Sequence, residues 1–386
     1  MKQNLSKPLK KIVMIGPVYP YKGGISHYTG LMNRSLSEKY ETVMLSYKMQ
    51  YPKFMYKKEQ RDYENDSFKI ENTQYQIHTA NPFNWISTAV KIRKMKPDVV
   101  IFQWWHPYFS PCYWVMEQCL HGIQKMFVCH NVFPHERFPM DRFLTKMVLR
   151  SGNSFITHSA TDKADLLSIK QTDHVVQTVL PTFNAFKFED LTMEEARKRL
   201  EISEEEHILL FFGFVREYKG LKHLLRAMPE LKKQDPKIRL LVVGDFGSEE
   251  EEYRSLIREL KIEDALSLYT GYIPDKEVEQ YFAASDLVVL PYESATQSGV
   301  VQMAYGFGKP VLVTEVGGLP DVVTDHKTGY VVEPKSPSAI TSSVLEFFRE
   351  YQAETFAEHI REEAYKFSWD RMREHIEKLY EQVNDK

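Results

Sequence analysis

Short β-branched apolar runs alternate with stretches of helical periodicity along most of the chain, and this alternation constrains the fold more than any other feature. Strands joined through helices run parallel, and a parallel sheet carries its helices on both faces. In the first half the apolar runs are Lys11 to Gly16, Glu41 to Tyr47, Asp98 to Phe102, Lys125 to Cys129, 153–157 and 174–179. Helical patterns lie between them near 25–36, 83–95, 108–121, 139–150 and 160–169. Leu180-Pro181-Thr182 then breaks the rhythm, as a linker does. It resumes with strands at 207–212, 238–244, 265–269, 286–290, a run opened by Pro310, and 329–332, with helices near 221–233, 248–260 and 275–283 between them. Three helical segments close the chain, 336–349, 354–366 and 369–383.

A chain of 386 residues with 43% apolar content is long enough for two cores. The expected fold class is α/β, with two Rossmann-like doubly wound domains facing a central cleft. The first takes residues 1–182 and the second 183–366, and a last helix in 367–386 crosses back to pack on the first. A formal net charge of −3 argues against nucleic acid as a partner. Cys112, Cys119 and Cys129 form neither an even disulfide framework nor a metal-ligand spacing, which suggests core thiols in a reducing, cytoplasmic compartment. No run approaches the roughly 20 apolar residues that span a bilayer, and Met1 to Lys11 lacks the apolar centre of a secretory signal. Residues 48–66 interleave Tyr51, Phe54, Met55 and Tyr56 with Lys53, Lys57, Lys58 and Arg61. That mixture suits peripheral contact with the inner membrane face or a lipid acceptor, although a mobile, solvated loop is the more ordinary reading.

In open parallel sheets ligands bind outside the carboxyl ends of the strands. Five stretches stand there. Gly23-Gly24, where a strand hands over to a helix, lets a ligand come close to the backbone, or simply makes a tight turn. Gln103-Trp104-Trp105-His106 offers aromatic faces for a sugar ring, although His106 by itself reads more readily as a satisfied core or rim histidine. His130 directly follows a strand and points where substrates bind. In the second half, Arg216 and Lys219 sit three apart in the loop after the first strand, a guanidinium fork and a point charge suited to a diphosphate. The alternative is a surface ion-pair loop with Glu217. Residues 291–313 read as strand end, polar loop, helix from Gln297 or Ser298, and strand, so 292–299 is a further candidate phosphate site.

Taken together, Phe211-Phe212-Gly213 to Lys219-Gly220, Gly23-Gly24, His130, Val242-Val243-Gly244 and Gly317-Gly318-Leu319-Pro320 resemble the family 4 retaining glycosyltransferases, also called glycosyl transferases group 1. The resemblance covers nearly the whole chain. It implies a GT-B fold, a nucleotide-sugar donor held mainly by the second domain, and hexosyl transfer to a saccharide or lipid-linked acceptor hydroxyl in polysaccharide or glycolipid synthesis. By that pattern Arg216 and Lys219 contact the donor diphosphate, Gly23 and Gly24 approach it from the other domain, His130 lies near the donor sugar, and Tyr272 and Ile273 contact the base. Gln297, Ser298, Gly299 and Val300 would hold sugar and phosphate. No cofactor and no metal are expected. The pattern's two glutamates, eight positions apart, are replaced here by Ser294 and Gln302, with Glu293 one place out of register. Gln302 can still hydrogen-bond a ribose diol through its amide. Two other readings remain, a sugar-nucleotide epimerase of the same architecture and a non-catalytic sugar-nucleotide-binding subunit. A dehydrogenase is disfavoured, because no three-glycine fingerprint follows Gly16.

Overall fold

The structure is a computed structural model that describes residues 7–55, 59–63, 66–134, 137–182, 184–350 and 353–385. It divides into two units, Met1–Thr178 with Trp369–Lys386, and Val179–Ser368. Residues 179–182, placed by sequence with the first domain, therefore go with the second. There the Thr182 amide donates to the Phe367 carbonyl at 2.8 Å.

The first unit holds a seven-stranded parallel sheet built from β1 (Lys11–Ile15), β2 (Glu41–Met49), β3 (Gln74–His78), β4 (Val99–Trp104), β5 (Gln124–Cys129), β6 (Ser154–Thr157) and β7 (Val175–Gln177). Their order is β3-β2-β1-β4-β5-β6-β7. Every residue of β4 is buried, as expected of a central strand covered on both faces. The sheet is flanked by α1 (Gly24–Ser37), α2 (Pro82–Met95), α3 (Ser110–Cys119), α4 (Asp141–Leu149) and α5 (Ala160–Ile169). Helix α2 starts because Asn81 accepts hydrogen bonds from the Phe83 and Asn84 amides and Pro82 follows at the first helical position. The helix expected over 108–121 is shorter, with a 3-10 turn at Pro107–Phe109 preceding α3.

The second unit repeats the plan with β8 (His207–Phe212), β9 (Ile238–Gly244), β10 (Leu266–Thr270), β11 (Leu287–Leu290), β12 (Val311–Thr314) and β13 (Gly329–Val332), in the order β10-β9-β8-β11-β12-β13. Its helices are α6 (Met193–Arg199), α7 (Leu221–Gln234), α8 (Glu250–Leu260), α9 (Asp275–Ala284), α10 (Gly299–Gly306), α11 (Pro337–Glu350) and α12 (Ala353–Glu362). The last helix, α13 (Trp369–Asn384), buries Met372, Ile376, Leu379 and Tyr380 and packs against α1 of the first unit.

In both sheets the strand order reverses once, between β1 and β4 and between β8 and β11, and crevices for ligands open at such points. One buried ion pair holds the second. Asp286, immediately before β11, accepts from Arg197 at 2.8 Å and from the Ile208 amide of β8 at 2.7 Å. Arg197 also donates to the Ala284 and Glu204 carbonyls. Removing one member of such a pair leaves the other buried without its counter-charge. Asp286→Ala should therefore lower unfolding stability by about 3–5 kcal/mol, read as a lower urea midpoint at unchanged slope.

Candidate functional site

In the first unit the candidate residues gather at the carboxyl edge of the sheet. Gly23 has φ 106° and precedes α1 without a side-chain cap. A Cβ added at Gly23 or Gly24 would meet nothing within 4 Å. Packing therefore does not require glycine at position 24. The two glycines line a cavity of about 210 Å³ together with Lys22, Gln50, Gln60, Tyr51 and Trp105. Trp105 donates through its indole N–H to the Tyr51 hydroxyl at 3.0 Å, which fixes both rings in that wall.

Its neighbours in the strand-end cluster have other tasks. Trp104 is fully buried and belongs to the core, so it offers no face to a sugar. His106 Nδ1 accepts from the Tyr108 amide at 3.1 Å and caps the 3-10 turn, a satisfied rim histidine. The segment 48–66 is similarly divided. Tyr51 packs on Tyr108 and Phe109, Phe54 and Met55 are exposed, and Tyr56, Lys57 and Lys58 lie outside the described residues.

His130 follows β5, and its Nε2 lies 2.8 Å from the Gln103 Oε1, which assigns the proton to Nε2 and leaves Nδ1 as an acceptor. Burial, with His158 beside it, lowers its pKa well below the ordinary histidine value, so the ring is neutral near pH 7. His158, just past β6, hydrogen-bonds the Thr178 carbonyl through Nδ1 at 3.1 Å, and burial lowers its pKa to about 4. The Tyr28 ring stands edge-on to His130 at 4.7 Å between centroids, and also touches His158 and Trp369. Sequence reasoning did not single out His158 or Tyr28. The strand-end argument that picked out His130 applies to His158 unchanged.

In the second unit three loops converge. Gly220, at φ +66°, closes the turn after Glu217–Lys219, and a Cβ there would lie 1.9 Å from the Pro291 carbonyl oxygen. Only glycine allows the loop after β8 to lie this close to the loop after β11. A Cβ placed on Gly213 would sit 3.1 Å from the Lys219 Nζ and 3.9 Å from Val300, so the ammonium stands beside the first turn of α10. The Tyr292 ring forms another wall, 5.6 Å from that nitrogen. Burial lowers the Lys219 pKa, and Arg216 pushes the same way. Among the described residues neither cation has a carboxylate partner, whereas nearby Lys222 pairs with Glu252. The surface ion-pair reading of this loop is therefore not what the structure shows.

Helix α10 begins at Gly299, slightly later than the sequence suggests, and its N-cap Ser298 makes no side-chain capping bond. Ser298 lies 3.4 Å from the Tyr292 hydroxyl, and Gln297 donates to the Gly318 carbonyl. Ser294 is exposed. Glu293 is occupied elsewhere, 2.8 Å from both Lys335 and His223, and these partners hold its carboxyl below the usual range. Gln302 differs from expectation. It lies on the inward face of α10 and is fully enclosed, and neither its amide oxygen nor its nitrogen finds a hydrogen-bond partner. Tyr272 and Ile273 follow the edge strand β10, two strands from β8 and apart from the Lys219 cluster.

Residues 192–367 match the family model of glycosyl transferases group 1. That match takes in most of the second unit. A D-inositol 3-phosphate glycosyltransferase of Corynebacterium jeikeium is 30% identical over 253 residues, 63% of this chain and 60% of that protein. The chain spans about half to three fifths of the length of the curated relatives it matches. Among solved structures, the sucrose-phosphate synthase of Thermosynechococcus elongatus superposes with a TM-score of 0.73 at 18% identity, covering 97% of this chain and 99% of that one. Anabaena HepE in complex with UDP gives 0.73 at 14% identity over 95% and 98%. These likenesses show that the fold is GT-B.

The two depressed histidines bind protons in the unfolded chain but not in the folded one below about pH 6.5. Stability is therefore full above that pH and falls as pH drops toward 4, by about 1.4 kcal/mol per pH unit for each histidine. His158→Gln should flatten this dependence between pH 6.5 and 4.5 in thermal melts, where wild type loses stability.

Proposed function

We propose that the protein transfers a sugar from a nucleoside diphosphate donor to an acceptor hydroxyl with retention of anomeric configuration. The observation that carries this reading is the Arg216 and Lys219 pair, two cations without a carboxylate partner among the described residues, beside the uncapped start of α10 in the segment that matches the group 1 family. As the bond from sugar to diphosphate breaks, negative charge grows on the leaving oxygens. A fork-shaped guanidinium, a partly desolvated ammonium and helix N–H groups stabilise that charge more in the transition state than in the ground state. Desolvation, which lowers the Lys219 pKa, is relieved when an anion binds beside it.

His130 is neutral, so it acts as a hydrogen-bonding partner of the donor sugar and not as a cation. Gln103 orients it through Nε2, leaving Nδ1 to accept a hydroxyl proton. The acceptor attacks from the face that the diphosphate leaves, which gives retention. Gln302 brings a buried amide with unused hydrogen-bonding capacity to the position of the usual ribose glutamate, and Ser294 brings a hydroxyl to the other. The first unit takes the acceptor, a saccharide or lipid-linked sugar of polysaccharide or glycolipid synthesis, on the cytoplasmic side. UDP bound to Anabaena HepE and the inositol-phosphate acceptor named for the Corynebacterium relative support this class of substrates.

The test uses purified protein, a panel of nucleoside diphosphate sugars and NMR of the product. Lys219→Ala and Arg216→Ala should each lower transfer by about 100-fold or more with unfolding midpoints unchanged, and the product anomer should match the donor. Wild-type rates in both variants, or an inverted product, would sink the proposal.

A further inference from the structure

One helical layer of the first unit stands out from the rest of the surface. Helices α2, α3 and α4 lie side by side, α2 against α3 and α3 against α4. Their inward faces, with Trp85, Ala89, Ile92, Tyr113, Met116 and Val148, fill the core beneath the sheet. Their outward faces are unusually apolar. Phe83, Ile86 and Val90 recur at helical spacing along exposed α2, and Phe83 is 86% exposed. Trp114 projects from α3, while Met140 and Phe143, 64% and 61% exposed, mark the start of α4 beside Phe138. Of sixteen large apolar or aromatic side chains exposed among the described residues, seven belong to this layer. Apolar exposure concentrated in this way marks an interaction surface.

Charge decides what it meets. Residues 82–96, 110–119 and 137–150 carry eight lysines and arginines against two acidic residues, in a chain whose formal net charge is −3. Both acids, Glu117 and Asp141, are buried, and Asp141 is paired with Arg137. The charge these three helices show to solvent is therefore positive, with Lys91, Lys94, Lys96, Arg142, Lys146 and Arg150 all exposed, while Asp165 of α5 lies near Arg137 and Arg142 at one border. Exposed rings and branched aliphatics on helices that also carry exposed lysine and arginine fit the interface of an anionic bilayer, where the apolar groups enter the acyl boundary and the cations meet phosphates.

We propose that the α2–α3–α4 face of the first unit docks on anionic lipid bilayers. The site is separate from the 48–66 segment, and the most exposed rings lie at or just before the N-terminal turns of α2 and α4. Those turns follow the carboxyl ends of β3 and β5, the sheet edge that also carries Gly23, Trp105 and His130. A bilayer held there would face the acceptor pocket, a consequence that rests on the proposed function. The docking itself does not.

The experiment is cosedimentation of the full chain with vesicles of equimolar phosphatidylcholine and phosphatidylglycerol, against phosphatidylcholine alone, with no donor present. The protein should bind the anionic vesicles and be released by salt. The double variants Phe83→Ser with Phe143→Ser, and Lys94→Glu with Lys146→Glu, should each lower the bound fraction about tenfold while melting as wild type does. The proposal fails if wild type ignores anionic vesicles, or if both variants bind them as wild type does. It also fails if the residues instead govern a concentration-dependent dimer seen by light scattering, since that would make the face a contact between copies of this chain.

Discussion

Strand β8 is hydrogen-bonded to β9 on one side and to β11 on the other, in register from Leu209 with Leu240 and Leu287. The organisation of the second unit's site depends on this pairing. Because the strands are parallel, all their carboxyl ends lie on one edge, and the reversal of order at β8 and β11 puts the loops that follow them next to each other. Arg197 and Asp286 secure the junction from below, since the carboxylate preceding β11 accepts the first amide of the buried run of β8. Above it, the approach of Gly220 to Pro291 sets the distance at which Lys219 meets Tyr292 and α10. A cation with no carboxylate partner among the described residues, beside an uncapped helix start, is the outcome of that geometry.

The first unit solves a different problem with the same sheet. Around His130 its strand ends carry neutral, aromatic and amide groups, with Lys22 in the wall of the neighbouring cavity. Burial removes the charge of His130 and His158, and Gln103 and the Thr178 carbonyl orient their rings. The last helix contributes at this point. Trp369 leans on Tyr28, whose ring is set edge-on to His130, so α13 supports the histidine through one intervening side chain. The opposite face of the sheet carries the apolar and basic layer of α2, α3 and α4. One domain thus has a polar strand edge suited to a small molecule and a helical face suited to a surface.

Much of this is legible from residue order. The alternation of β-branched runs with helical periods identifies parallel sheets, and strands such as β4, apolar along nearly their whole length, announce burial on both faces. Strand β3 is not legible, because Gln74-Tyr75-Gln76-Ile77-His78 is an edge strand with one buried residue and no apolar run. The short capped helix α6 escapes for a similar reason, since seven residues give too little periodicity. Among the candidate site residues, loop position is readable and side-chain partnership is not. Glu293 looks available in the sequence, yet His223 lies 70 positions before it in the chain and Lys335 lies beyond it, and both hold it.

By itself the sequence determined the fold class, the doubling of the Rossmann-like plan, and the loops at which chemistry could occur, because those follow from local periodicity and from glycine, proline and charge at fixed spacing. Only the tertiary structure decided which side chains in those loops are free to act. It buried Trp104 and left Trp105 at the cavity, gave His106 to a cap, enclosed Gln302, and left Arg216 and Lys219 without a carboxylate partner among the described residues. The physical reason is that hydrogen-bond and charge partners are supplied from distant parts of the chain. Whether a polar group is satisfied or available is a property of packing, and local sequence does not carry it.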